Sequence, residues 1–337
     1  RLLPRYYPLE IGYRDSVVIL LSCADSTYQR TVLRRFASAE QKGKAGVKQA
    51  ATEKKDKPAE NKADTKKQRK IFGYNVNLKQ ISKQLSFPVK EDSTVALLKM
   101  ADFSYGRPKE AYKMIFDRLD RCSVQHLILD LRGNLGGRLS DVCELYSYLV
   151  EDDQFQFVYP AVITSKFNLP FYQMKGLPGW SYPILSPFII PSAVVTWAKT
   201  FSRDGIDYTH LTGSKVKQSK ANRYRGNLFV LIDGGTFSAA SLIATNLKVA
   251  KRAVFVGEET GGAANGTVAG ILPVLKLPNS HLRWRFGLME VRPYYQVSEE
   301  GRGVMPDVPV LPSADDVVSG RDPAMDWVLN CITDVKF

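Results

Sequence analysis

Apolar residues fall into two kinds of run along this chain. Residues 94–100, 126–131, 228–232 and 253–256 are short and nearly unbroken, the length and pattern of strands buried on both faces. Between them the apolar positions take helical spacing. Tyr112, Ile115, Phe116 and Leu119 follow Pro108, which fits a first helical position, and Val142, Leu145, Tyr146 and Leu149 share one face. A third helical stretch of small and apolar residues (Ala239, Ala240, Leu242, Ile243, Leu247) follows the turn Asp233-Gly234-Gly235-Thr236, with Ser238 at its opening. The pattern predicts an α/β fold with strand–turn–helix units. Two of these units carry glycines at the carboxyl end of the strand, where open α/β sheets bind ligands.

Flanking this centre, residues 8–37 read as a β-hairpin, with strands over 16–23 and 28–36 and a turn at Ala24-Asp25-Ser26. Residues 271–277 and 282–288 form a second hairpin around Pro278-Asn279-Ser280, and Asp322 caps a last helix that begins at Pro323. The chain divides into a β-rich N-terminal region (1–40), a basic low-complexity linker (41–70) and a core domain (71–337). That core carries an insertion over about 151–222, rich in Pro and aromatics, which fits packing over the core and lining a substrate groove. The linker, with few apolar groups to offset backbone entropy, is expected to be mobile. Residues 180–197 are long enough to span a bilayer, but Pro183, Pro187 and Pro191 interrupt them, so no transmembrane helix is expected.

The net charge of +13 over 337 residues changes the picture little once it is located. Residues 41–70 alone hold +7 of it, with no aromatic side chains interleaved, which marks a solvated basic segment and not a nucleic-acid site. Four widely spaced cysteines (Cys23, Cys122, Cys143, Cys331) suggest neither a zinc site nor a disulfide scaffold, and Cys122 and Cys143 are expected as buried thiols. The run 17–23 has the look of a lipoprotein cleavage site, but Arg5, Glu10, Arg14 and Asp15 interrupt the apolar region that a signal needs. The first residue is Arg1, so the sequence is expected to be a fragment.

The candidate chemistry sits on Ser238. At the start of a helix its hydroxyl meets free backbone N–H groups and the positive end of the helix dipole, a place suited to a cap or to a nucleophile. No GxSxG surrounds it, which disfavours an α/β-hydrolase elbow. Three motifs accompany one another in order: Asp130-Leu-Arg-Gly-Asn-Leu-Gly-Gly137, Gly235-Thr-Phe-Ser-Ala-Ala-Ser241 and Glu300-Gly-Arg-Gly-Val-Met-Pro-Asp307. Over about residues 93–311 this order and spacing resembles the C-terminal processing (tail-specific) serine peptidases, the family that includes the tricorn core relatives. The resemblance implies a crotonase/ClpP-like α/β core preceded by a PDZ-like or other N-terminal region, of which the 8–37 hairpin is a remnant. It implies that Ser238 is the nucleophile and that Ala239 N–H and a Gly136 or Gly137 N–H form the oxyanion hole. A protein or peptide substrate follows, with no metal or organic cofactor and a setting in the cell envelope or periplasm. Read as structure alone, Gly136-Gly137 is a helix-opening turn.

Two departures stand out. The bacterial branch uses a Ser/Lys dyad with its lysine twenty-five positions after the serine; here that position is Ala263, and no lysine lies between Lys251 and Lys276. The tricorn-like branch uses Ser, His and Glu, and Glu300, beside Glu299, falls on its glutamate. None of His126, His210 or His281 matches its histidine, so the base is expected upstream of Arg1. Ser241 stands where many relatives carry an acidic residue. A non-catalytic binding protein on the same fold is the rival, and a crotonase-type acyl-CoA enzyme has no adenine or phosphate site to favour it.

Overall fold

The computed structural model describes residues 16–23, 26–33, 62–76, 78–89, 93–163, 197–270 and 272–334, with positions 187, 191, 194 and 195. The chain divides into two compact units. One comprises residues 1–60 with 312–323, the other residues 61–311 with 324–337.

In the first unit, Ser16–Cys23 pairs antiparallel with Ser26–Leu33. This is the expected hairpin, with its second strand starting at Ser26 where a turn residue was expected; residues 34–36 lie outside the described residues. A short helix, Ala314–Ser319, opens on a capping box. The Ser313 Oγ accepts from Asp316 N–H, and the Asp316 carboxylate accepts from Ser313 N–H, so two otherwise free donors are satisfied. The hydrogen bonds that the Ser313 hydroxyl (2.7 Å) and N–H donate to the half-buried Asp316 carboxylate hold its pKa below the ordinary value.

The second unit is built on a six-stranded sheet. Its strands are β1 (Lys83–Ser86), β2 (Val95–Met100), β3 (His126–Asp130), β4 (Asn227–Ile232), β5 (Val254–Gly257) and β6 (Val308–Pro309), lying in that spatial order. All neighbours are parallel except β1 and β2. Helix α1 (Pro108–Arg121) joins β2 to β3, α2 (Leu139–Tyr146) follows β3, and α3 (Ala239–Val249) joins β4 to β5. The apolar runs are continuous because both faces of the sheet are covered. Leu98, Leu127, Leu129, Val230 and Ile232 pack in one core with the helices α1–α3, while Val95, Ile128, Phe229 and Leu231 meet Ala324 and Val328 of α4 (Pro323–Asp334). The α/β expectation holds.

The region 151–222 packs Phe155, Phe157, Val158, Ala161 and Ile163 into the core that holds the helices. It supplies Ala161–Ile163, Thr200–Arg203 and Ile206–Thr209 to a five-stranded sheet completed by Met289–Val291 and Thr267–Ala269. Asn246 of α3 ties this sheet's surroundings to the core, donating to Phe157 O (2.8 Å) and accepting from Tyr295 N–H (3.0 Å). Most of 180–197 lies outside the described residues. Among the described residues no helix is long and apolar enough to cross a membrane.

The basic linker also ends earlier than composition suggested: Lys62–Phe72 is helical, its C-terminal half amphipathic enough to bury Ile71. The rest of the linker lies outside the described residues. Of the two thiols expected in the interior, Cys143 is buried and Cys122 is half-buried.

Candidate active site

Because β3 and β4 are adjacent and parallel, the loops leaving their carboxyl ends emerge side by side. Asp233 fastens one to the other. Its Oδ1 accepts from Gly133 N–H (2.8 Å) and Gly235 N–H (2.9 Å), and Thr236 Oγ1 donates to Leu131 O (3.0 Å). Phe237 N–H then donates to Asn134 O (2.9 Å). Arg132 closes a two-pronged pair on the Asp130 carboxylate (2.9 and 3.0 Å), so the charged residues of the first motif hold each other.

Ser238 stands at the amino end of α3 with φ +56° and ψ −120°. A non-glycine residue in that region carries roughly 1–3 kcal/mol of backbone strain, which persists only when its surroundings fix it. Its side chain makes no capping bond. The cap reading therefore lacks its hydrogen bond, and the half-buried hydroxyl has no partner among the described residues. The next amide, Ala239 N–H, belongs to a residue only 2% exposed and likewise has no acceptor among them. Buried donors without partners are rare, and this one faces the start of a helix dipole.

Gly136 lies directly against this serine. A Cβ there would sit 2.8 Å from Ala239 N and from Phe237 O and 2.9 Å from Ser238 Cβ, and its φ is +93°. The two candidate oxyanion glycines are not equivalent. Gly136 N–H is taken by Asn134 Oδ1 (2.9 Å), whereas the exposed Gly137 has an N–H with no acceptor among the described residues. Buried Asn134 also donates to Met100 O (2.9 Å), so it fixes the loop from both sides. Its role was not assigned from sequence, although it sits within the quoted motif. Gly136→Ala should lower stability by about 1–3 kcal/mol in a denaturant melt, since the added methyl meets backbone atoms that cannot rotate away. An unchanged melt would show that the two loops are not in contact.

The third motif reaches the site through a second close approach. Gly262 lies so near Ser238 that a Cβ would meet Ser238 N at 2.9 Å and Ser241 Oγ at 2.4 Å. The following residue, Ala263, pairs with Gly303, and Ala264 N–H donates to Arg302 O (2.9 Å). Glu259 Oε1 accepts from Gly303 N–H (2.8 Å), and Thr260 Oγ1 accepts from Val304 N–H (2.8 Å). Glu300 is thus three residues from Gly303, whose bridge partner Ala263 follows the glycine packed against the serine. Its carboxylate is exposed, and the neighbouring Arg292 guanidinium feels its charge. Asp307 serves the scaffold, where it accepts from Phe255 N–H (2.9 Å) and pairs with Lys248. Ser241 is fully buried and donates to Ser238 O (2.8 Å).

Among the described residues, no histidine or lysine hydrogen-bonds to Ser238 Oγ. His126 is beside Asn227 (3.3 Å), His210 is beside Ser214 (3.2 Å) and Phe201, and His281 occupies a turn with φ +56°.

Residues 94–310 match the family model of peptidase family S41. No curated protein matches the chain. Among solved structures, it is similar to mature CPAF (TM-score 0.50, 18% identity, 72% of this chain and 52% of that one). It is also similar to a peptidase-like protein from Parabacteroides merdae (0.49, 15%, 74% and 64%). A third likeness is to a photosystem II D1 C-terminal processing protease (0.40, 20%, 64% and 42%). The chain spans between 42% and 64% of the length of these three, and at 18% identity the likeness to mature CPAF concerns the fold alone.

Proposed function

The chain belongs to peptidase family S41, and on that premise we propose that it is a serine endopeptidase, of the C-terminal processing kind, with Ser238 as nucleophile. Ser238 Oγ attacks the scissile carbonyl of a protein or peptide. Ala239 N–H and Gly137 N–H bind the oxygen as it becomes negative, and being part of the backbone they need no reorientation. Gly136, whose own N–H is spent on Asn134, supplies the close approach that a side chain would block. A histidine from outside these 337 residues takes the serine proton, and Glu300 orients it. The observation that carries this reading is the strained Ser238, whose hydroxyl makes no hydrogen bond among the described residues, beside the buried Ala239 amide, which has no acceptor among them.

The binding-protein reading draws on the surroundings of Ser238: neither a histidine nor a lysine hydrogen-bonds to its Oγ among the described residues, and residue 263, twenty-five positions after it, is alanine. Peptide hydrolysis and peptide affinity, measured on residues 1–337 and on a chain extended beyond Arg1, separate the two. We expect turnover only in the extended chain, and Glu300→Gln should lower it there by about two to four powers of ten, by analogy with losing the group that orients a triad histidine. Tight peptide binding with no turnover in either chain would establish the binding reading. An unaltered rate in Glu300→Gln would remove Glu300 from the mechanism.

A further inference from the structure

Between Thr267–Ala269 and Met289–Val291 the chain leaves the five-stranded sheet and returns as a separate two-stranded ribbon, Val274–Lys276 against Arg283–Arg285. At its root, Pro273 is buried, Phe286 packs against the core, and Phe286 N–H bonds to Pro273 O. Beyond that root both strands are exposed throughout.

The register sorts the side chains strictly. Leu275 faces Trp284, and one step further Leu277 N–H bonds to Leu282 O, which puts Leu277 and Leu282 on that same face. The other face pairs Val274 with Arg285 and Lys276 with Arg283. One side is therefore leucine and tryptophan, with Leu282 61% and Trp284 57% exposed, and the other is cationic. Residues 272–287 contain three Lys/Arg and no Asp or Glu, and none of the three cations pairs with a carboxylate among the described residues.

A two-stranded ribbon is marginal in water unless something covers its apolar face. What covers this one must accept four large apolar side chains and tolerate uncompensated positive charge about one ribbon thickness away, within a Debye length. We propose that the ribbon is a membrane-surface anchor that lays Leu275, Leu277, Leu282 and Trp284 into the interface of a bilayer rich in anionic lipid. Tryptophan favours the level of the headgroups, and arginine and lysine on the opposite face reach sideways to phosphates. A second copy of the chain suits the face less well, because like copies would bring the same three cations together.

The test is flotation of the full chain with vesicles of phosphatidylcholine alone and of phosphatidylcholine with 30% (about one lipid in three) phosphatidylglycerol. Binding is expected to the anionic vesicles only. Leu282→Ser/Trp284→Ser should weaken it at least about tenfold, although the charge is unchanged. Lys276→Gln/Arg283→Gln/Arg285→Gln should weaken it by about fivefold for each charge removed. Circular dichroism and a thermal melt show that the variants fold, and single substitutions of the same positions replace any that do not. Absence of flotation would overturn the anchor. So would flotation unchanged by Leu282→Ser/Trp284→Ser, which would assign the binding to charge elsewhere, such as residues 41–70. A wild-type dimer in sedimentation that this double substitution turns into monomer would give the face to a second copy instead.

Discussion

Ser238→Ala should abolish peptide turnover in an active preparation while leaving the fold as stable as before. The rate loss expected for removing a serine nucleophile is about four to six powers of ten. The stability forecast follows from a separate feature. Ser238 occupies the cap position of α3 but makes no capping bond, so removing its hydroxyl forfeits no hydrogen bond. Nor does alanine relieve the strain of φ +56°, which belongs to any residue with a Cβ. The change in unfolding free energy should then stay within about 0.5 kcal/mol. A serine that capped the helix would behave the opposite way, costing about 1 kcal/mol of stability with no necessary effect on turnover. Peptide hydrolysis and a urea melt on one pair of proteins distinguish them. Full activity in residues 1–337 would refute the outside histidine and turn attention to His126, His210 and His281.

Asp141→Asn should have the largest effect on stability. Asp141 of α2 accepts from Lys83 Nζ (2.8 Å) of β1 and from the Tyr112 hydroxyl (2.6 Å) of α1, and Arg138 approaches at 3.5 Å. Both partners of the Lys83–Asp141 pair have side chains 0% exposed. Burial pushes the Asp141 carboxyl up and the Lys83 ammonium down, against the mutual attraction that would move them the other way. Desolvation thus outweighs the pairing, and the surrounding fold holds the pair together. Removing one charge leaves the other buried and unmatched, at a cost of about 3–5 kcal/mol. Lys83→Met added to Asp141→Asn should recover at least half of that, because it removes the orphaned charge; a double variant as unstable as the single would refute this account. The cluster also bears on the site. Arg138 N–H bonds to Phe103 O and Phe103 N–H to Gly136 O, so the helix that carries Asp141 is fastened to the glycine against Ser238. Loosening it should reduce turnover along with stability.

Much of this was legible in the sequence. Strands buried on both faces announce themselves as unbroken apolar runs, and helices covered on one face as a 3.6-residue period, so β2, β3, β4, α1 and α3 could be read within a few residues. Glycines in the two loops likewise marked where backbones approach closely. Sequence could not reveal which donors were already occupied. That Asn134 takes Gly136 N–H, and so leaves Gly137 as the available amide, depends on side-chain placement within a turn whose composition admits either. The same holds for Ser238: serine is an ordinary cap by type, and only its φ, ψ and unbonded hydroxyl separate it from one. Lys83, Tyr112 and Asp141 come from three elements, and no local period links residues 83 and 141. Local pattern determined the elements because each residue's burial is written in its immediate neighbours. The site and its supporting charges were decided by the tertiary structure, because they rest on contacts between segments that the sequence keeps far apart.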